Sequence, residues 1–87
     1  MKKTSFNDLS LELRTSIVDE FASPLLSIEY YDYRVDLFSL NSLLIERYQN
    51  IETEEVERIF VAEYADLDKY LSQIMIGRLK KSLEENH

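Results

Sequence analysis

The sequence predicts an all-α protein, a small three- or four-helix bundle with a long central helix. Two observations point there. One glycine and one proline in 87 residues leave few breakers, and apolar residues recur every three or four positions along most of the chain. One stretch admits an alternative, an α/β fold with a short strand at 30–37. The length implies a single domain, residues 1–87, burying about 60 to 65% of its unfolded surface.

The first helix is expected from about Asp8 to Ala22, with Leu9, Leu13, Ile17 and Phe21 on one stripe. Ser23-Pro24 ends it and opens the next, because serine is a good N-cap and proline is preorganised for the first helical position. The second helix then extends to about Gln49. Its seam, Leu26, Tyr30, Tyr33, Leu37, Leu40 and Leu44, alternates spacings of four and three. A second stripe, Ile28, Tyr31, Val35, Phe38 and Ile45, makes this helix apolar on two sides. The third helix is expected after Thr53, a candidate cap, with Glu54, Glu55 and Glu57 favoured by the helix dipole. Its stripe is Val56, Phe60, Tyr64, Leu67, Leu71, Met75, Leu79 and Leu83, and a break near Ala65-Asp66 would give a fourth helix.

The strand alternative rests on Tyr31, Tyr33, Val35 and Leu37 alternating with Asp32, Arg34 and Asp36. The helical seam is longer, and a lone two-stranded sheet is marginal in water. The helix is therefore the preferred reading.

Chemistry is excluded more readily than assigned. The absence of cysteine removes disulfides, thiolate nucleophiles and sulfur-ligated metals, and the single histidine is His87. A Gly-rich phosphate loop needs more than Gly77. Asp32-x-Arg34-x-Asp36 fails as a calcium loop, with Leu37 at the sixth position and Leu43 at the twelfth. No enzyme activity, cofactor or metal is expected. No apolar run reaches membrane-spanning length and the start lacks a secretory pattern, so the expected compartment is the cytoplasm.

The net charge is −7, and residues 4–68 carry fifteen acidic residues against Arg14, Arg34, Arg47 and Arg58. Such a body repels phosphate backbones, and only the patch Arg78 to Lys81 offers a basic stripe, so direct nucleic-acid binding is not expected. A basic protein partner is. The candidate partner-binding residues are Glu29, Tyr30, Tyr31, Asp32, Asp36 and Phe38: aromatics with acids at the rim, with Glu29, Asp32 and Asp36 read as lying along one helix flank beside Tyr31. The expected function is inhibition of a basic partner such as a nuclease toxin or a nucleic-acid-binding protein. The alternative is a structural or adaptor protein, a homodimer or small subunit whose two-sided helix docks into an assembly. In size, acidity and the adjacent pair Tyr30-Tyr31 the chain resembles, in type of surface, the small helical immunity proteins that neutralise DNase colicins. In that family the pair precedes a proline, whereas here it follows Pro24, so the resemblance assigns no residues.

Overall fold

The computed structural model describes residues 3–71. Two helices, α1 (Lys3–Asn7) and α2 (Leu11–Phe21), precede four strands, β1 (Ser23–Tyr30), β2 (Tyr33–Leu40), β3 (Leu43–Asn50) and β4 (Val56–Val61). A 3-10 turn (Tyr64–Leu67) and a helical turn at 68–71 follow. The strands pair antiparallel in chain order, a four-stranded meander. This overturns the all-α class, the helical bundle and the long central helix, since residues 23–49 form three strands. The alternative single strand at 30–37 coincides with β2 only from Tyr33 onward, because Tyr31-Asp32 is a turn and Tyr30 ends β1. Val56 to Val61, expected in the third helix, is β4. The later part of that stripe, Met75, Leu79 and Leu83, and the patch Arg78 to Lys81, lie outside the described residues.

The false helical seam has a physical origin. Strands of eight residues joined by two-residue turns place cross-strand partners symmetrically about each turn, so Leu26 pairs with Leu37 and Tyr30 with Tyr33. The same folding back pairs Ile28 with Val35 and Phe38 with Ile45. Reflection about a turn thus mimics the spacing of three and four. The second apolar stripe has its own cause: β2 and β3 are covered on both faces, and strands buried on both sides read as near-continuous apolar runs.

On one face α1 and α2 supply Phe6 and Val18, which pack on Phe38, Leu40, Ile45, Ile59 and Val61. On the other, Val35, Leu37 and Tyr48 pack with Tyr70, and Leu26, Ile28, Tyr30, Phe60 and Leu67 border them. Each fully buried large apolar side chain contributes roughly 1.5–3 kcal/mol. Ser10 explains why α2 starts at Leu11 rather than Asp8: its hydroxyl accepts the Leu13 N–H at 3.2 Å as an N-cap. Ala22 closes the helix, and Ser23-Pro24 begins β1 instead of a second helix.

The second face holds one buried charge. Glu46 is fully buried, and its Oε2 accepts from Lys69 Nζ at 2.8 Å and from the Tyr70 hydroxyl at 2.5 Å. The Lys69 ammonium also lies 5.4–5.6 Å from the ring centroids of Tyr30, Tyr48 and Tyr70. Burial alone would lower the Lys69 pKa, but the bonds and charge of Glu46 and Tyr48 outweigh it and hold the pKa above the ordinary lysine value. Burial and the adjacent Glu46 carboxylate both push the Tyr70 phenol upward. These contacts pin the segment after β4 across the sheet.

The two sheet edges are treated differently. In this register odd-numbered residues of β4 turn their backbone groups outward, away from β3. Two of those groups are taken: Asn7 Oδ1 accepts the Val61 N–H at 3.0 Å, and Arg14 Nη1 donates to the Ile59 carbonyl. No side chain among the described residues does the same for β1. Its first residues are guarded by Pro24, which lacks an N–H, and by a register shift between Pro24 and Leu26.

Candidate partner-binding tip

The β1–β2 turn and the β3–β4 loop lie at the same end of the sheet. Tyr31 and Asp32 form the turn, and only Tyr31 has positive φ, at 54°, the pattern of a type II′ rather than a type I′ turn. Such a position favours glycine, and a bulky side chain there costs about 1–2 kcal/mol. Tyr31 is 85% exposed, and its ring meets that of Tyr30 edge-on, with centroids 4.7 Å apart.

The β3–β4 loop is organised by Asn50. Its side-chain oxygen accepts from Glu52 N and Thr53 N at 2.9 and 3.0 Å, and its carbonyl accepts from Glu54 N at 2.8 Å. Gln49 Nε2 donates to the Glu54 carbonyl at 2.8 Å, holding Glu54 at φ 65°. Thr53 therefore closes a turn rather than capping a helix, donating nothing to a helical ladder while its Oγ1 accepts from Glu55 N at 3.3 Å. The loop presents Ile51, half exposed, among Glu52, Glu54 and Glu55. A shallow cavity of about 200 Å³ lies beside it, lined by Glu29, Arg34, Gln49, Asn50, Ile51 and Glu54.

Carboxylates predominate at this end, where Glu29 and Glu54 line the cavity with Arg34. Arg34 is the cross-strand partner of Glu29, yet its guanidinium reaches Asp36 at 3.3–3.4 Å. Glu29, Asp32, Glu52, Glu54 and Glu55 are all exposed and form no ion pair among the described residues. Tyr31 and Ile51, both exposed, thus stand at the same end of the sheet as these carboxylates.

The six candidate residues, of which Glu29, Asp32 and Asp36 are expected along one helix flank, are dispersed by the sheet. Tyr31 and Asp32 are exposed at the tip, and Glu29 lies on the adjoining strand, exposed beside the cavity. Tyr30 is half buried against the second face. Phe38 is buried in the first core, under the Arg47 guanidinium at 4.7 Å. Asp36 is buried too, accepting from Ser27 Oγ at 2.5 Å and from Arg47 Nη2 at 2.9 Å. Burial by itself would raise the Asp36 pKa, but Ser27, Arg47 and Arg34 together hold it below the usual aspartate value. Arg47 also meets Asp19 at 3.3 Å, tying α2 to the sheet. Sequence reasoning missed Ile51, Glu52, Glu54 and Glu55 as tip residues. The available signal was Asn50, a turn former that precedes them at the end of an apolar run.

No helix among the described residues is long and apolar enough to cross a membrane. Comparison with protein-family models, with curated proteins and with solved structures finds no match to this chain.

Proposed function

We propose that this chain is a non-enzymatic recognition protein whose acidic tip binds a basic partner, of the inhibitor type that occupies surfaces otherwise used to meet phosphates. The observation that carries the reading is Tyr31, a bulky residue held at φ 54° and 85% exposed beside Asp32. Backbone strain concentrates where function uses it, and an exposed aromatic within a charged rim is the anatomy of a contact surface. The rim carboxylates would steer a basic partner toward the tip, and Tyr31 and Ile51 would supply the buried centre.

The test is capture of a partner from the native host followed by rate measurements across salt. A basic nucleic-acid-acting protein should be retained. Its association rate should fall as salt shortens the screening length to about 8 Å, and Asp32→Lys with Glu54→Lys should abolish capture without unfolding the protein. Binding that is flat with salt and indifferent to these reversals sinks the proposal.

That flat outcome belongs to a second reading, favoured by a separate observation. Leu13 and Phe21 on α2 are 54% and 66% exposed. An adaptor or self-associating protein would dock through them, and Leu13→Ser with Phe21→Ser would then abolish its assembly.

A further inference from the structure

The unequal edges of the sheet bear on how a partner is held. On β4 two outward groups, the Val61 N–H and the Ile59 carbonyl, are taken by Asn7 and Arg14, whereas among the described residues nothing takes those of β1. Tyr30 and Tyr33 close a two-residue hairpin, so Leu26, Ile28 and Tyr30 direct their backbone groups to β2, and Ser27 and Glu29 direct theirs outward. Both are exposed, and no hydrogen bond from their backbones leaves the sheet among the described residues. Pro24 and the register shift beside it confine the usable edge to residues 26–30.

The side chains along this short edge specify what fits it. On one face stands Glu29, without an ion pair among the described residues, since Arg34 is turned onto Asp36. On the other face Leu26, Ile28 and Tyr30 are half buried at the margin of the second core. A strand laid alongside would find carboxylates on one side, Glu29 and then Asp32 at the turn, and an apolar margin on the other.

We infer that β1 is a docking edge for an extended segment of the partner, which adds a fifth strand with Lys or Arg facing Glu29 and β-branched residues extending the Leu26, Ile28 and Tyr30 margin. Main-chain bonds at Ser27 and Glu29 supply affinity, and the alternation of charge and apolar side chains supplies selectivity. This rests on the acidic-tip reading for the sign of the partner's charge and adds to it the mode of binding.

Amide exchange read by NMR tests it, with acetyl-Lys-Val-Arg-Val-Lys-amide as probe and acetyl-Glu-Val-Glu-Val-Glu-amide as control. In the free protein the Ser27 and Glu29 amides should exchange fast. The cationic probe at millimolar concentration should slow both by about tenfold or more, and the acidic probe should not. Ser27→Pro, which removes one outward N–H while sparing the ladder to β2, should abolish the effect. Ser27→Ala, which loses only the hydroxyl bond to Asp36, should retain it. Shifts at Tyr31, Asp32 and Ile51 without protection at Ser27 and Glu29 overturn the docking edge and leave the tip reading standing. Absence of any response to the cationic probe overturns the edge as well, and the tip is then judged by its salt dependence. Slow exchange at Ser27 in the free protein, with sedimentation as a dimer, overturns it in favour of a second copy on that edge.

Discussion

Ile51 donates its backbone N–H to the carbonyl of Asp32 at 3.0 Å. The β1–β2 turn and the β3–β4 loop, which are not adjacent in the chain, are thereby joined into one surface. If the tip binds a partner as proposed, Tyr31 and Ile51 would meet it already held in place, and fewer degrees of freedom would be lost on binding.

On the proposed reading, a change at Tyr31 should separate stability from recognition. Tyr31→Gly relieves about 1–2 kcal/mol of backbone strain, but loses the edge contact with Tyr30 and adds unfolded-state freedom, together about 1–2 kcal/mol. Urea unfolding should therefore show stability changed by no more than about 1 kcal/mol in either direction, while partner affinity falls by about tenfold or more. A variant that is much less stable would mark Tyr31 as structural.

Phe38→Ala should do the opposite. The side chain is buried in the first core, so truncation costs about 3–5 kcal/mol. Affinity per folded molecule should not change. Binding measured below the unfolding midpoint, with the folded fraction determined by circular dichroism, distinguishes the two.

Asp36 sets the acid limit. Its folded pKa lies below the ordinary 3.8, so its contribution is complete above that value and is lost as pH falls through the folded value. Asp36→Asn should cost about 1.5–3 kcal/mol at neutral pH, leaving Arg34 and Arg47 without their shared anion. It should also flatten the acid limb of a stability profile between pH 5 and 2. An unchanged limb would mean that another carboxylate governs it.

Lys69 and Tyr70 set the alkaline limit. Both hold their protons more tightly folded than unfolded, relative to ordinary values of 10.5 and 10.0. Their contribution is complete below about pH 10 and declines as pH rises toward the folded values. Glu46→Gln removes the anion that raises both, and breaking a buried pair in this way costs about 3–5 kcal/mol. Stability measured from pH 8 to 11.5 should fall for the natural protein and be lower and flatter for the variant.

How much of this was legible in the sequence follows from the turns. α2 and its end at Ser23-Pro24 could be read, because apolar spacing and a proline speak locally. The strands could not, since neither two-residue turn contains glycine: Tyr31-Asp32 gives no turn signal, and Asn41-Ser42 only a weak one, though Asn41 takes the same positive φ of 54°. Without those turns the reflected pairs about them read as a heptad. The candidate site suffered accordingly. Tyr31 and Asp32 are exposed, but Asp36 is only four residues further along β2 and lies inside the fold, because Ser27, Arg34 and Arg47 supply what a buried carboxylate needs from three different places in the chain.

The capping of β4 by Asn7 and Arg14 has a consequence for the order of events as the chain folds. The three hairpins close over neighbouring residues and can zip in turn, whereas these caps join positions 54 and 45 residues apart and carry the larger loop-closure cost. The meander would therefore be expected to acquire a bare edge on each side before the N-terminal helices shield one of them. A chain emerging from the ribosome already holds its shield but must wait for residues 59 and 61 before it has anything to cover. A protein lacking residues 1–22 would never close that interval, and would accumulate as strand-paired aggregate rather than as a smaller folded domain.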